Sequence, residues 1–134
     1  MDNPFEKKSA AFWADGKECA DAGYLNPAAH SLYYSVLQAV YGFAEANDLL
    51  SQYQKDDEGH ENSKHKIVRQ IVVDYNRGAN DKFSRALNRL RLARAKADYN
   101  HEDVTAPDLL PCMSDASILR KFFINFKLGP KTKE

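Results

Sequence analysis

An arginine and a histidine near the end of one predicted helix are the side chains of this sequence best suited to chemistry. Alternating spacings of four and three residues connect Phe83, Leu87, Leu90, Arg94, Ala97 and His101. Such spacing places all of these side chains on one face of a helix. A guanidinium on a face that is otherwise apolar is costly unless it meets a carboxylate, another anion or a water-filled cleft. Arg94 is therefore expected to have one of these partners.

Spacing alone leaves two interpretations of this pair open. Seven residues span roughly 10 Å along a helix axis, so Arg94 and His101 could lean toward one phosphate-sized anion. Alternatively, Arg94 interacts with the negative end of the helix dipole, and His101 is a surface residue just beyond the helix end.

Two segments of the chain resemble the HEPN superfamily, whose name stands for higher eukaryotes and prokaryotes nucleotide-binding domains. They are residues 90–101, LRLARAKADYNH, and residues 30–40, HSLYYSVLQAV. In that family a tyrosine-rich second helix packs beside a later helix that carries arginine, four to six residues, and then histidine. Arg94 and His101 match with six intervening residues. The resemblance covers residues 12–101 in helix order and length.

The resemblance implies a metal-independent endoribonuclease of a toxin–antitoxin or defence system, with no cofactor. Arg94 and His101 would be its catalytic residues. The histidine would act as base on the ribose 2′-OH or as acid toward the leaving 5′-oxygen. The arginine would stabilise the phosphorane-like transition state. The implied partners are RNA or a nucleotide, a second copy in a homodimer, and a partner protein such as a nucleotidyltransferase-type antitoxin.

Further residues would support such a site. Flanking phosphates and a stacked base would be bound by Arg85, Arg89, Arg91, Tyr34 and Tyr99. His30 is expected to be partly buried and hydrogen-bonded, and Gln38 suits a buried hydrogen bond. Asp98 is available to pair with an arginine on a neighbouring helix.

The motif also departs from the pattern of catalytic members. Ala95 follows Arg94, where those members usually have a polar residue, and the pattern from Arg94 to Tyr99 also occurs in branches without the histidine. The alternatives are therefore a catalytically inactive HEPN-type module that binds a nucleotide, RNA or a protein, and a purely structural interaction domain.

Composition predicts one soluble cytoplasmic domain. The 134 residues are 43% hydrophobic and 28% charged, contain no long apolar stretch, and do not begin with the pattern of a signal peptide. Cys19 and Cys112 suggest neither a disulfide framework nor a zinc site. The net charge of zero argues against bulk coating of nucleic acid. However, residues 77–96 hold seven basic residues and one acid, whereas residues 45–61 hold six acids and one lysine.

Capping signals and hydrophobic spacing predict an all-α, up-and-down bundle of four to five helices in a single domain, residues 1–134. The predicted helices cover residues 4–23, 27–50, 63–75, 80–101 and 115–127. Asn3-Pro4 and Asn26-Pro27 each look like an N-cap followed by proline. The second helix carries two apolar stripes and should be central.

The first helix should bury Phe5, Phe12 and Cys19. Residues 102–113 should be irregular because they contain two prolines, so that the last helix begins at Ser114-Asp115. His60 and His65, with Glu58 and Glu61, fit no metal-site spacing and predict an acidic surface loop.

Overall fold

The computed structural model describes residues 3–54, 63–75, 81–99 and 103–126, and all regular elements in these ranges are α-helices. They are α1 (Pro4–Asp21), α2 (Leu25–Ala46), α3 (Leu50–Tyr53), α4 (Lys64–Asp74), α5 (Lys82–Tyr99) and α6 (Ala106–Asn125). The predicted all-α bundle is confirmed, with the short α3 as an addition. Within the described ranges, each helix is too short or too polar to cross a membrane.

Helix α2 is the centre of the bundle, as its two apolar stripes predict. It contacts α1, α3, α4, α5 and α6. The first stripe is wholly buried and consists of Leu32, Val36, Ala39 and Phe43. Burial of each large apolar side chain in such a stripe contributes about 1.5–3 kcal/mol. The second stripe is buried at Leu37 and partly buried at His30, Tyr34 and Tyr41, which leaves tyrosine and histidine rings at the edge of the core.

The start of α1 confirms one predicted cap. The Asn3 side chain accepts a hydrogen bond from the backbone N–H of Phe5 at 2.8 Å, and its amide donates to the Gly42 carbonyl at 3.2 Å. A Cβ at Gly42 would lie 2.8 Å from the Phe5 Cβ, so glycine permits this close approach of α1 and α2. Asn3 therefore caps one helix and fastens it to the next.

The residues that α1 buries differ from the prediction. Phe5, Phe12 and Cys19 are only partly buried, whereas Ser9 and Gly16 are buried. Small residues occupy the contact line because α1 lies very close to α2. The large side chains are consequently displaced to its flanks.

The predicted cap at Asn26 is wrong. Helix α2 begins at Leu25, so Asn26 is already in its first turn. Its side-chain oxygen accepts from the Val104 N–H at 2.9 Å, and its amide donates to the Asp103 carboxylate at 3.1 Å. Asn26 thus holds the segment before α6 against α2.

The prediction that residues 102–113 are irregular holds for residues 103–105 and is wrong from Ala106 onward, while residue 102 lies outside the described residues. Helix α6 begins at Ala106, where Thr105 and Asp108 form a reciprocal capping box. Pro107 lies in the first turn, where its missing N–H has no intrahelical partner to lose. Pro111 lies inside the helix, at a cost of about 3 kcal/mol, which burial of its neighbours offsets. The buried neighbours are Leu109, Cys112 and Ala116.

Asp115, expected at the start of the last helix, is instead a buried residue within α6. Its carboxylate accepts two hydrogen bonds of 2.8 Å from the Arg89 guanidinium on α5. A second ion pair joins Lys96 of α5 to Asp108 of α6 at 2.9 Å. These two pairs tie α5 to α6 along one side of α5.

Candidate functional site

The stripe on α5 turns from apolar to basic as its spacing predicts. Phe83, Leu87 and Leu90 are buried, and the next side chain along the same face is Arg94, which is 17% exposed. His101 lies outside the described residues. The structure therefore describes the site around Arg94 but not the geometry of the predicted catalytic pair.

Arg94 is held by three tyrosines and one carboxylate, which together we call the arginine–tyrosine cluster. One guanidinium nitrogen, Nη2, donates to the hydroxyls of Tyr34 at 3.0 Å and Tyr99 at 3.2 Å. The guanidinium carbon lies 5.2–5.7 Å from the ring centroids of Tyr33, Tyr34 and Tyr99. Such distances are typical of cation–π contacts. The cluster presents a fixed, planar cation among aromatic faces.

Asp98 is the carboxylate of this cluster, one helical turn after Arg94. Its Oδ2 lies 3.0 Å from Arg94 Nε, but the N–H is not directed at that oxygen, so the contact is ionic rather than a hydrogen bond. Burial lowers the pKa of Arg94, while Tyr34, Tyr99 and Asp98 raise it, and the net shift is upward. Arg94 therefore stays charged.

The same carboxylate oxygen also reaches α2, where it lies 3.1 Å from His30 Nδ1. The expected hydrogen bond of a partly buried His30 is thus confirmed. The expectation that Asp98 pairs with an arginine of a neighbouring helix is wrong, because its arginine is on its own helix and its partner on α2 is the histidine. His30 also lies against Tyr34, with ring centroids 4.6 Å apart.

His65 is a member of this site that the sequence prediction missed. It lies in the first turn of α4, with Nδ1 2.8 Å from the Tyr33 hydroxyl and its ring parallel to the Tyr33 ring at 5.7 Å. Burial lowers the pKa of His65, and the positive charges of Arg94, Arg69 and Lys64 lower it further. The imidazole is therefore neutral at neutral pH.

A sequence signal for His65 exists. Ser63 caps α4, accepting from the N–H of Lys66 at 3.2 Å. His65 precedes the buried Val68 and Val72 by three and seven residues, and so lies on the same helix face. Grouping His65 with the acidic loop before it concealed this relation.

The predicted phosphate-binding arginines divide into two groups. Arg91 is three residues before Arg94. Burial raises the pKa of Tyr33, whereas the charge of Arg91, like that of Arg69 on α4, acts to lower it. Arg85 is nine residues before Arg94, which turns it about 180° away on a helix. Arg89 already has both its Nε and Nη2 on Asp115. The structure brings Tyr34, Tyr99 and Arg91 to the Arg94 side of α5, and places Arg85 and Arg89 elsewhere.

Gln38 does not fulfil its expected role. It is buried on α2, one turn after Tyr34, but its side-chain oxygen has no hydrogen-bond partner among the described residues. The prediction of a buried hydrogen bond is therefore wrong for this atom. The described ranges also contain no group of three or more His, Cys, Asp or Glu side chains arranged to hold a metal ion.

Comparison with known protein families, characterised proteins and solved structures gives no match to this chain. The HEPN resemblance therefore stays a prediction, based on residues 30–40 and 90–101. These two segments contribute the arginine and all three tyrosines of the cluster.

Proposed function

We propose that this chain is a HEPN-type RNA-binding domain whose arginine–tyrosine cluster binds single-stranded RNA. The observation that carries the proposal is the Arg94 guanidinium, which is fixed by two phenol hydroxyls and lies over three aromatic rings. A cation fixed in this way binds a phosphate with little loss of side-chain entropy.

The aromatic part of the cluster supports the same function. Tyr99 is 70% exposed at the end of α5, with the Arg94 guanidinium against its ring. An exposed ring beside a cation is suited to stacking on an unpaired base while the phosphate meets the charge. Stacking of this kind contributes about 1–3 kcal/mol per base.

The charge around the cluster also favours an anion. The Tyr33 hydroxyl lies in the field of three arginines. Burial raises its pKa, whereas the charges of Arg69, Arg91 and Arg94 each act to lower it. Within the described ranges, Asp98 is the one carboxylate that forms an ion pair here. That carboxylate is shared between Arg94 and His30. The local balance is positive although the chain as a whole is neutral.

Fluorescence anisotropy with a labelled single-stranded RNA tests this function. Tyr99→Leu should weaken binding by about fivefold to 100-fold, because the stacking platform is lost. Tyr24→Leu is the matched control, since Tyr24 is 65% exposed but lies between α1 and α2. Arg94→Gln should also reduce the slope of log affinity against log salt by about 0.7. Equal affinity of the native protein and both tyrosine variants would overturn the proposal.

The second candidate function is metal-independent endoribonuclease activity through Arg94 and His101. It is favoured by two further imidazoles beside Arg94, since the rings of His30 and His65 lie 4.6 Å and 5.9 Å from that of Tyr34. An imidazole would take the proton from the ribose 2′-OH as the 2′-oxygen attacks phosphorus. The bond to the 5′-oxygen would then break as that oxygen receives a proton.

Incubation with single-stranded RNA in EDTA distinguishes the two functions. The native protein is compared with Arg94→Ala and His101→Ala. Cleavage that disappears in both variants would establish the enzyme. Equal background in all three samples, together with RNA binding by the native protein, would leave the binding function alone.

A further inference from the structure

A cleft between α4 and α5 forms a second basic site beside the arginine–tyrosine cluster. It has a volume of about 120 Å³ and is lined by Arg69, Val72, Val73, Ser84, Leu87, Asn88 and Arg91. A single water requires only about 10–15 Å³ of such space. The cleft therefore has room for a small polyatomic ion.

Its polar lining is cationic. Arg69 comes from α4 and Arg91 from α5, and no carboxylate is among the described residues that line the cleft. Two guanidinium groups at one cleft repel each other unless an anion lies between them. The buried Val72 and Leu87 form apolar walls, and such a lining lowers the local dielectric and strengthens the attraction between the arginines and a bound anion.

Hydrogen-bond donors accompany the two charges. The Asn88 side-chain oxygen accepts from Arg91 Nη2 at 2.7 Å, which orients the guanidinium. The Ser84 hydroxyl is buried at the same cleft and has no hydrogen-bond partner among the described residues. Buried hydroxyls are nearly always hydrogen-bonded, so an unpaired hydroxyl at a cationic cleft indicates a missing acceptor oxygen.

We propose that this cleft binds a phosphoryl group, held by Arg69 and Arg91 and accepting a hydrogen bond from Ser84. The tetrahedral oxygens of a phosphoryl group match planar guanidinium forks and a hydroxyl donor. Arg91 is three residues before Arg94, so an RNA bound at the cluster can reach the cleft with another of its phosphates. The identification of RNA as the source of the phosphoryl group rests on the proposed function. The cleft itself does not depend on it, because a free phosphate presents the same oxygens.

Titration with inorganic phosphate, followed by the amide NMR signals of α4 and α5, tests the cleft directly. The native protein should show saturable shifts, and Arg69→Gln and Arg91→Gln should each weaken binding about tenfold or more. Ser84→Ala, which removes one neutral hydrogen bond, should weaken it about fivefold. Arg85→Gln is the control, since it removes the same charge from an exposed position of α5 outside the cleft.

The result that overturns the proposal is an absence of saturable shifts, or phosphate affinities that are equal in Arg69→Gln and Arg85→Gln. Dispersed amide signals in each variant verify that it is folded. Because Ser84→Ala leaves every charge in place, its effect separates a defined site from general attraction to a basic surface.

Single-stranded RNA then distinguishes the two sources of the phosphoryl group. If Arg69→Gln weakens RNA and inorganic phosphate binding together, the cleft takes a backbone phosphate. If it weakens phosphate binding alone, the cleft takes a free phosphate. Tyr99→Leu should reduce RNA affinity but leave inorganic phosphate binding unchanged, so failure of the RNA function is distinguishable from failure of the cleft.

Discussion

The two sides of α5 carry the same kinds of basic side chain in opposite electrostatic surroundings. Toward α6, Arg89 meets the buried carboxylate of Asp115, and Lys96 meets the partly exposed carboxylate of Asp108. Each cation there has an acid of its own, supplied by the next helix in the chain. These residues hold two helices together.

Toward α2 and α4, the basic residues of α5 meet mainly aromatic rings and other basic groups. Arg94 lies over three tyrosines and shares Asp98 with His30, while Arg91 lines a cleft with Arg69. On the α6 side the neighbouring helix supplies both acids, whereas on the other side α5 itself supplies Asp98 and Tyr99, and the neighbouring helices supply aromatic rings and a further arginine. A basic helix therefore indicates function only where its neighbours leave the charge uncompensated.

The largest expected effect is on stability, at the α6 side. Arg89→Met should lower the free energy of unfolding by about 2–3 kcal/mol, because the Asp115 side chain is only 6% exposed and would lose its counter-charge. Urea denaturation measures the change, with the exposed Arg85→Met as control.

The double variant Arg89→Met/Asp115→Leu should recover most of that loss, since an apolar pair can replace a buried ion pair. RNA binding by Arg89→Met should equal that of the native protein. A loss of stability no greater than that of Arg85→Met would contradict the structural role assigned to the pair.

The next effect is on RNA binding, at the opposite side. Arg94→Lys keeps the charge but loses the planar fork that donates to Tyr34 and Tyr99, so RNA affinity should fall about tenfold. Lys96→Arg is the matched control on the α6 side and should leave affinity unchanged. Equal affinity of Arg94→Lys and the native protein in fluorescence anisotropy would mean that charge alone matters, and would remove the distinction between the two sides.

Local sequence patterns predict much of the Arg94 side of α5. The spacing from Phe83 to Arg94 predicts both the buried face of α5 and the cation that ends it. Tyr34 and Tyr99 are predicted as site residues from the resemblance, and both contact Arg94. Local patterns suffice here because Phe83 to Arg94 lie on one helix. Tyr34 and Tyr99 belong to the two segments that resemble the HEPN superfamily.

The parts that could not be predicted depend on contacts between helices distant in sequence. Asn26 has the sequence of a cap, but it hydrogen-bonds to the segment before α6. Pro107 and Pro111 suggested a loop, although the capping box at Thr105 was a local signal for a helix start. The meeting of Arg69 with Arg91 has no sequence signal, because it depends on how α4 packs against α5.

A smaller effect concerns His65, which contacts Tyr33 of the arginine–tyrosine cluster. The NMR titration midpoint of the His65 ring should lie below its ordinary value of 6.5, because burial and the nearby Arg94 and Arg69 disfavour the imidazolium. Arg69→Gln should move the midpoint upward, whereas Arg85→Gln should not change it. An unchanged midpoint in Arg69→Gln would show that the charges on this side of α5 do not act together.

The smallest effect tests the α6 side at acid pH. Hydrogen bonds from Lys96 and Thr105 lower the pKa of Asp108 from 3.8 to about 2. Because the pKa is lower in the folded state, the unfolded state binds the proton more readily. The ion pair thus stabilises the fold above about pH 4, and this contribution is lost as the pH falls through about 2.

The melting temperatures of the native protein and Lys96→Met measure this contribution. They should differ at about pH 6, and the difference should narrow below about pH 4 as Asp108 becomes protonated. Lys121→Met, which removes an exposed charge from α6, should show no such narrowing. A constant difference for Lys96→Met across this range would mean that Lys96 acts through its aliphatic chain and not through Asp108. Of the two ion pairs described between α5 and α6, Arg89–Asp115 would then be the one that contributes to stability.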